Sequence, residues 1–116
     1  MDAFVSPDFY NIDDLLTPEQ LMIRATVREF VKKEISPIIN DYCQEAQFPQ
    51  HLVKRFGDLG VLGPFVSSEY GGGGLDYISY GIMMQEIERG DSGMRSTVSV
   101  QGSLVMYPIY KYGSVE

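Results

Sequence analysis

The tetrapeptide Thr17-Pro18-Glu19-Gln20 constrains the fold more than any other short stretch of this chain. It combines a hydroxyl that can cap free N–H groups, a proline suited to the first helical position, and a glutamine placed to close a capping box. Behind it Leu21, Ala25, Val27, Phe30, Val31, Glu34 and Ile35 mostly follow three- and four-residue spacing, while Arg24, Arg28, Lys32 and Lys33 fill the intervening positions. An apolar stripe opposite a basic, wet side predicts one amphipathic helix over residues 18–35.

The remainder repeats that logic in shorter pieces. Ser36-Pro37 permits a second start with Pro37 at the first position, and Ile38, Ile39, Tyr42 and Cys43 give it an apolar stripe through about Glu45. After Phe48-Pro49, residues 50–59 read as a helix with Leu52, Val53, Phe56 and Leu59 inward and Gly60 closing it. Residues 61–66 are apolar without a period, which suits a buried connection or one edge strand. Residues 77–89 are helical again, with Ile78, Ile82, Met83, Glu86 and Ile87 at the inner spacing. A last helix should begin at Asp91 or Ser92 and run to about Met106, where Pro108 ends or bends it. The fold class expected is therefore all-α: an orthogonal bundle of five or six helices in one domain, residues 1–116, of which residues 1–16 are a lead-in.

Composition closes off several functions. A 116-residue chain with 44% hydrophobic residues can enclose a core. Its formal charge of −7 has the wrong sign to attract a nucleic-acid backbone. No run is long and apolar enough for a membrane span, and residues 1–7 lack the pattern of a secretion signal or transit peptide, so a cytoplasmic location is expected. One Cys and one His are too few for a zinc site; Cys43 reads as a small packing residue and His51 as a first-turn surface residue. Gly-x-Ser-x-Gly is absent, which argues against a serine hydrolase. Gly71 to Gly74 lack both the Lys-Ser/Thr of a phosphate loop and the third glycine of a dinucleotide fingerprint, so they read as a turn. Met83, Met84 and Tyr80 could line a pocket, but at this spacing they read as core.

The chemistry concentrates between Glu88 and Gln101, in Glu-Arg-Gly-Asp-Ser-Gly-Met-Arg-Ser-Thr-Val-Ser-Val-Gln. Arg95 falls in the first turn of the last helix, where the helix dipole disfavours a cation unless something negative lies nearby. Arg95 and Ser99 are four apart and share a face, with Ser96 beside them. A guanidinium fork, hydroxyls and free N–H groups could there converge on one carboxylate. The alternative is structural: Arg95 pairs with Asp91 or Glu88, and Ser96 and Ser99 are small residues at a helix contact.

The run from Glu88 to Ser114 closely resembles the glutaryl-CoA dehydrogenase branch of the acyl-CoA dehydrogenase family, and the likeness extends through Leu15-Leu16-Thr17-Pro18-Glu19, residues 59–64 and residues 69–75. Asp91-Ser92-Gly93-x-Arg95-Ser96-x-x-Ser99-Val100-Gln101 is its specific part. The resemblance implies the N-terminal helical domain of an enzyme in which FAD takes a hydride from the β-carbon of an acyl-CoA while a glutamate removes the α-proton. The glutaryl branch then decarboxylates its product to crotonyl-CoA. It further implies that Arg95, with Ser96 and Ser99, binds the acyl-CoA substrate, Arg95 and Ser99 holding the distal carboxylate of glutaryl-CoA, and that the full-length enzyme is a homotetramer. Family chains continue into a sheet domain with much of the flavin site and a second helical domain with the base. Against that pattern, residues 1–116 are expected to be a truncated domain that carries no catalytic residue, binds no FAD by itself and is inactive alone. A noncatalytic helical interaction module, or a related dehydrogenase for another acyl group, remains the alternative.

Overall fold

The computed structural model describes Val5 and residues 7–116; residues 1–4 and Ser6, part of the expected lead-in, lie outside the described residues. Among the described residues there is no strand. A short 3-10 turn, Ile12–Leu15, leads into α1 (Pro18–Phe30), which continues as π turns over Val31–Ile35. Then come α2 (Ile39–Gln44), α3 (His51–Leu59), α4 (Tyr77–Gly90) and α5 (Ser92–Ser99). A π segment, Val100–Met106, joins α5 to α6 (Tyr107–Tyr112).

The capping box forms as read. Thr17 accepts from the Gln20 N–H at 3.2 Å, and the Gln20 side chain accepts from the Thr17 N–H at 3.0 Å. Gln20 Nε2 also donates to Asp76 at 3.3 Å, tying the start of α1 to the start of α4, where Asp76 accepts from the Ser79 N–H at 2.7 Å. These two helices pack on each other and frame the core, in which Val27, Val31 and Ile35 meet Met83 and Ile87. Leu52 and Phe56 of α3, Val61, and Met94 and Val98 of α5 complete it. At Gly90, on the last turn of α4, a Cβ would stand 2.5 Å from Cγ1 of Val31 in the π segment that follows α1. Any larger residue there would have to push Val31 aside.

Several expectations need correction. Pro37 does not open the second helix: the Ser36 N–H reaches back to the Val31 carbonyl at 2.9 Å, so the first helix runs out over the proline and α2 starts at Ile39. On that six-residue helix only Ile39 is buried, which leaves Cys43 exposed rather than packed. Val53 is 42% and Ile78 59% exposed, because the inward anchors of their helices are Leu52 and Phe56, and Ile82, Met83, Glu86 and Ile87. Met83 is buried and Met84 packs against the core, in keeping with the core reading. Residues 61–66 form a largely buried, irregular connection. Pro108 does not end the last helical run. The preceding π register widens the turns where the ring would otherwise press on the carbonyl four residues back, and the chain stays helical to Tyr112.

Candidate anion-binding site

A single residue separates α4 from α5, and its geometry builds the site. Asp91 is extended (φ −168°, ψ 133°) and its carboxylate accepts from the Met94 N–H at 2.8 Å, while its carbonyl accepts from the Arg95 N–H at 3.1 Å. Of the two candidate caps, Asp91 is the one used. Those two N–H groups are therefore taken, and the convergence of free helix-start donors on a ligand is reduced accordingly.

The sharp corner sets Glu88, on the last turn of α4, over the first turn of α5. Arg95 Nε donates to Glu88 Oε2 at 2.5 Å, and Ser92 Oγ donates to Glu88 Oε1 at 2.5 Å. On its other side Arg95 Nη1 donates to Ser99 Oγ at 3.3 Å, and Ser99 in turn donates to the Ser96 carbonyl at 3.1 Å. The expected partnership of Arg95 with Ser99 thus forms, and so does the alternative pairing with Glu88. Ser96 contributes its backbone to the network, while the residue borders a separate open groove of about 660 Å³ with Val53, Phe56, Leu62 and Val100.

The electrostatics follow from that geometry. The Arg95 and Ser92 hydrogen bonds hold the Glu88 carboxyl below its ordinary value. Arg95 has a side-chain exposure of 34% and Glu88 of 43%, so the pair is open to an incoming ligand. Nη2 of Arg95 has no hydrogen-bond partner among the described residues. With Nε on Glu88 and Nη1 on Ser99, Nη2 is the guanidinium nitrogen left to donate to a further acid.

The sequence left one large feature unread. Glu86, fully buried, accepts from Arg28 Nε at 2.8 Å and Nη2 at 2.9 Å, with Arg89 Nε 3.6 Å away. The spacing along α1 puts Arg28 on the wet side of its helix, yet its guanidinium reaches this buried acid. The available signal was an acid at a core position of α4, since a carboxylate there requires a cation.

The glycine loop offers no phosphate cradle. The N–H groups of Gly71 and Gly72 bond Ser68 and Ser67 carbonyls, and those of Gly74 and Leu75 bond Val66 and Pro64 carbonyls at 2.8 and 2.9 Å. These four donors point into the chain's own backbone, so the stretch folds as a turn. No helix among the described residues is long and apolar enough to cross a membrane.

Residues 17–116 match the family model described as acyl-CoA dehydrogenase, N-terminal domain. The chain belongs to the acyl-CoA dehydrogenase family. It is 44% identical over 95 residues to the mitochondrial short-chain specific acyl-CoA dehydrogenase of Homo sapiens, an alignment covering 82% of this chain and 23% of that protein. Among solved structures, a glutaryl-CoA dehydrogenase from Mycobacterium smegmatis in complex with FADH2 superposes with a TM-score of 0.87 at 46% identity, over 91% of this chain and 27% of that one. Butyryl-CoA dehydrogenase from Megasphaera elsdenii superposes at 0.80 with 26% identity, over 93% and 28% of the two chains. The chain thus spans about a quarter of the length of the relatives it matches.

Proposed function

We propose that residues 1–116 form the substrate-cavity domain of an FAD-dependent acyl-CoA dehydrogenase acting on glutaryl-CoA, with Arg95 and Ser99 holding the distal carboxylate. The observation that carries this reading is the Arg95 guanidinium, steered by Ser99 on one side and Glu88 on the other, with Nη2 left for an acid. The 46% identity to a glutaryl-CoA dehydrogenase supports the same assignment. Ser96 completes the substrate-facing turn.

A fixed cation at the far end of a five-carbon acyl chain limits where its reacting carbons can lie, and that positioning lowers the barrier before any bond changes. It also favours an acid-terminated chain over an uncharged one, because an unfilled Arg95 keeps the cost of a charge facing an apolar chain end. FAD, when bound to the remaining domains, supplies the hydride acceptor; no proton acceptor is assigned within residues 1–116. The second reading, a short-chain dehydrogenase for an uncharged acyl group, draws on the 44% identity to the human short-chain enzyme.

One chimera distinguishes the two. Residues 1–116 are joined to the rest of the Mycobacterium smegmatis glutaryl-CoA dehydrogenase, and kcat/KM is measured for glutaryl-CoA and butyryl-CoA with and without Arg95→Met. A hydrogen bond to a charged group contributes about 1.5–3 kcal/mol, so glutaryl-CoA turnover should fall roughly 10-fold or more while butyryl-CoA turnover is held or rises. An unchanged ratio between the two substrates would reject the carboxylate role.

A further inference from the structure

A second charged cluster lies between α1 and α4, away from Arg95. Residues of the N-terminal segment close one side of a cleft of about 560 Å³ whose lining includes three guanidinium side chains, Arg24, Arg28 and Arg89, and the aliphatic Ile12, Leu16 and Ile82. Two carboxylates engage these cations in very different ways. Glu86 is fully buried and held by Nε and Nη2 of Arg28, so it is fixed in place. Asp13 has a side-chain exposure of 47% and fills the fork of Arg24, with Oδ1 and Oδ2 at 2.6 and 2.7 Å from the two terminal nitrogens. It sits on a 3-10 turn with no buried residue. A rotation about its own side-chain bonds carries it into solvent.

Once Asp13 turns away, Arg24 loses its two-toothed acid partner beside the aliphatic wall of the cleft, while Glu86 stays on Arg28. Arg24 would then present the two parallel donors that select a carboxylate.

We propose that this cleft is a carboxylate-binding site in which Asp13 is the intramolecular stand-in, and that its external ligand is a small aliphatic carboxylate. The head group displaces Asp13 from Arg24, and the chain lies against Ile12, Leu16 and Ile82. A tethered competitor lowers apparent affinity by the fraction of time it occupies the site, so removing its charge should tighten binding.

The test uses the 116-residue protein and sodium hexanoate at constant ionic strength, read by calorimetry and by the Arg24 Nε–Hε NMR signal. Asp13→Asn should bind hexanoate saturably, with a Kd about tenfold or more below that of the unaltered protein. Adding Arg24→Gln should abolish binding, and inorganic phosphate, which lacks a chain, should bind more weakly. Because ligand binding to the folded state raises the melting temperature, saturating hexanoate should also stabilise Asp13→Asn. The proposal is overturned if hexanoate moves the Arg24 signal no more than equal chloride does, if Asp13→Asn binds no tighter, if the Arg24→Gln double variant still binds, or if phosphate binds as tightly as hexanoate.

Discussion

Arg28→Met should be among the most damaging single substitutions in this domain, although Arg28 lies on the edge of its helix packing. Glu86 has no side-chain exposure and depends on two N–H donors from Arg28, at 2.8 and 2.9 Å; Arg89 Nε, at 3.6 Å, is beyond good hydrogen-bond distance. Breaking a buried pair from one side leaves an uncompensated charge and costs about 3–5 kcal/mol. The neighbouring Arg89 favours the low end, about 3 kcal/mol, which for a domain of this size is a drop in Tm of about 12 °C. The assay is urea and thermal unfolding of the unaltered chain, Arg28→Met, Glu86→Leu and the double variant. The double variant should recover most of the loss, since replacing both charges with apolar groups removes the stranded carboxylate. A loss below about 1 kcal/mol, or a double variant no more stable than Arg28→Met, would refute the view that Glu86 depends on Arg28.

Two further outcomes follow from local geometry. At Gly90 a Cβ would stand 2.5 Å from Val31, whereas at Gly81, in the same helix, it meets nothing within 4 Å. Gly90→Ala should therefore lose about 1–3 kcal/mol to overpacking and Gly81→Ala should gain up to about 1 kcal/mol from helix propensity, an opposite pair of shifts that chemical denaturation resolves. For Glu88, Arg95 and then Ser92 hold the carboxyl below its ordinary value of 4.5. A depressed acid contributes stability that is present above its unfolded pKa and lost as pH falls through the lower folded one. The Glu88 side-chain NMR titration should thus have its midpoint below 4.5 and move upward in Arg95→Met; no movement would separate the two residues in solution.

Short-range signals in this chain were legible wherever both partners sit within a helical turn. The capping box at Thr17 and Gln20, the Asp91 cap, the Gly60 stop and the four-residue step from Arg95 to Ser99 all formed as the spacing required. Helical geometry alone brings such residues together, so local order suffices to specify them. The π turns were not legible, because hydrogen bonds five residues back leave no distinct apolar period; they altered what Pro37 and Pro108 do.

Determined by the sequence alone were the all-helical class, most helix starts and stops, and the cation with its hydroxyl partner on one face of α5. Only the tertiary structure decided which acid each arginine meets. Glu86 lies 58 residues from Arg28, and Asp13 lies 11 from Arg24 across a turn, so neither pair follows from helix periodicity. Burial is likewise a property of what packs opposite, which is why Cys43 and Val53, apolar by pattern, ended on the surface while the acidic Glu86 ended in the core. The pairing that answers a buried charge is set by where two helices cross, and that crossing is fixed by contacts spread over the whole fold.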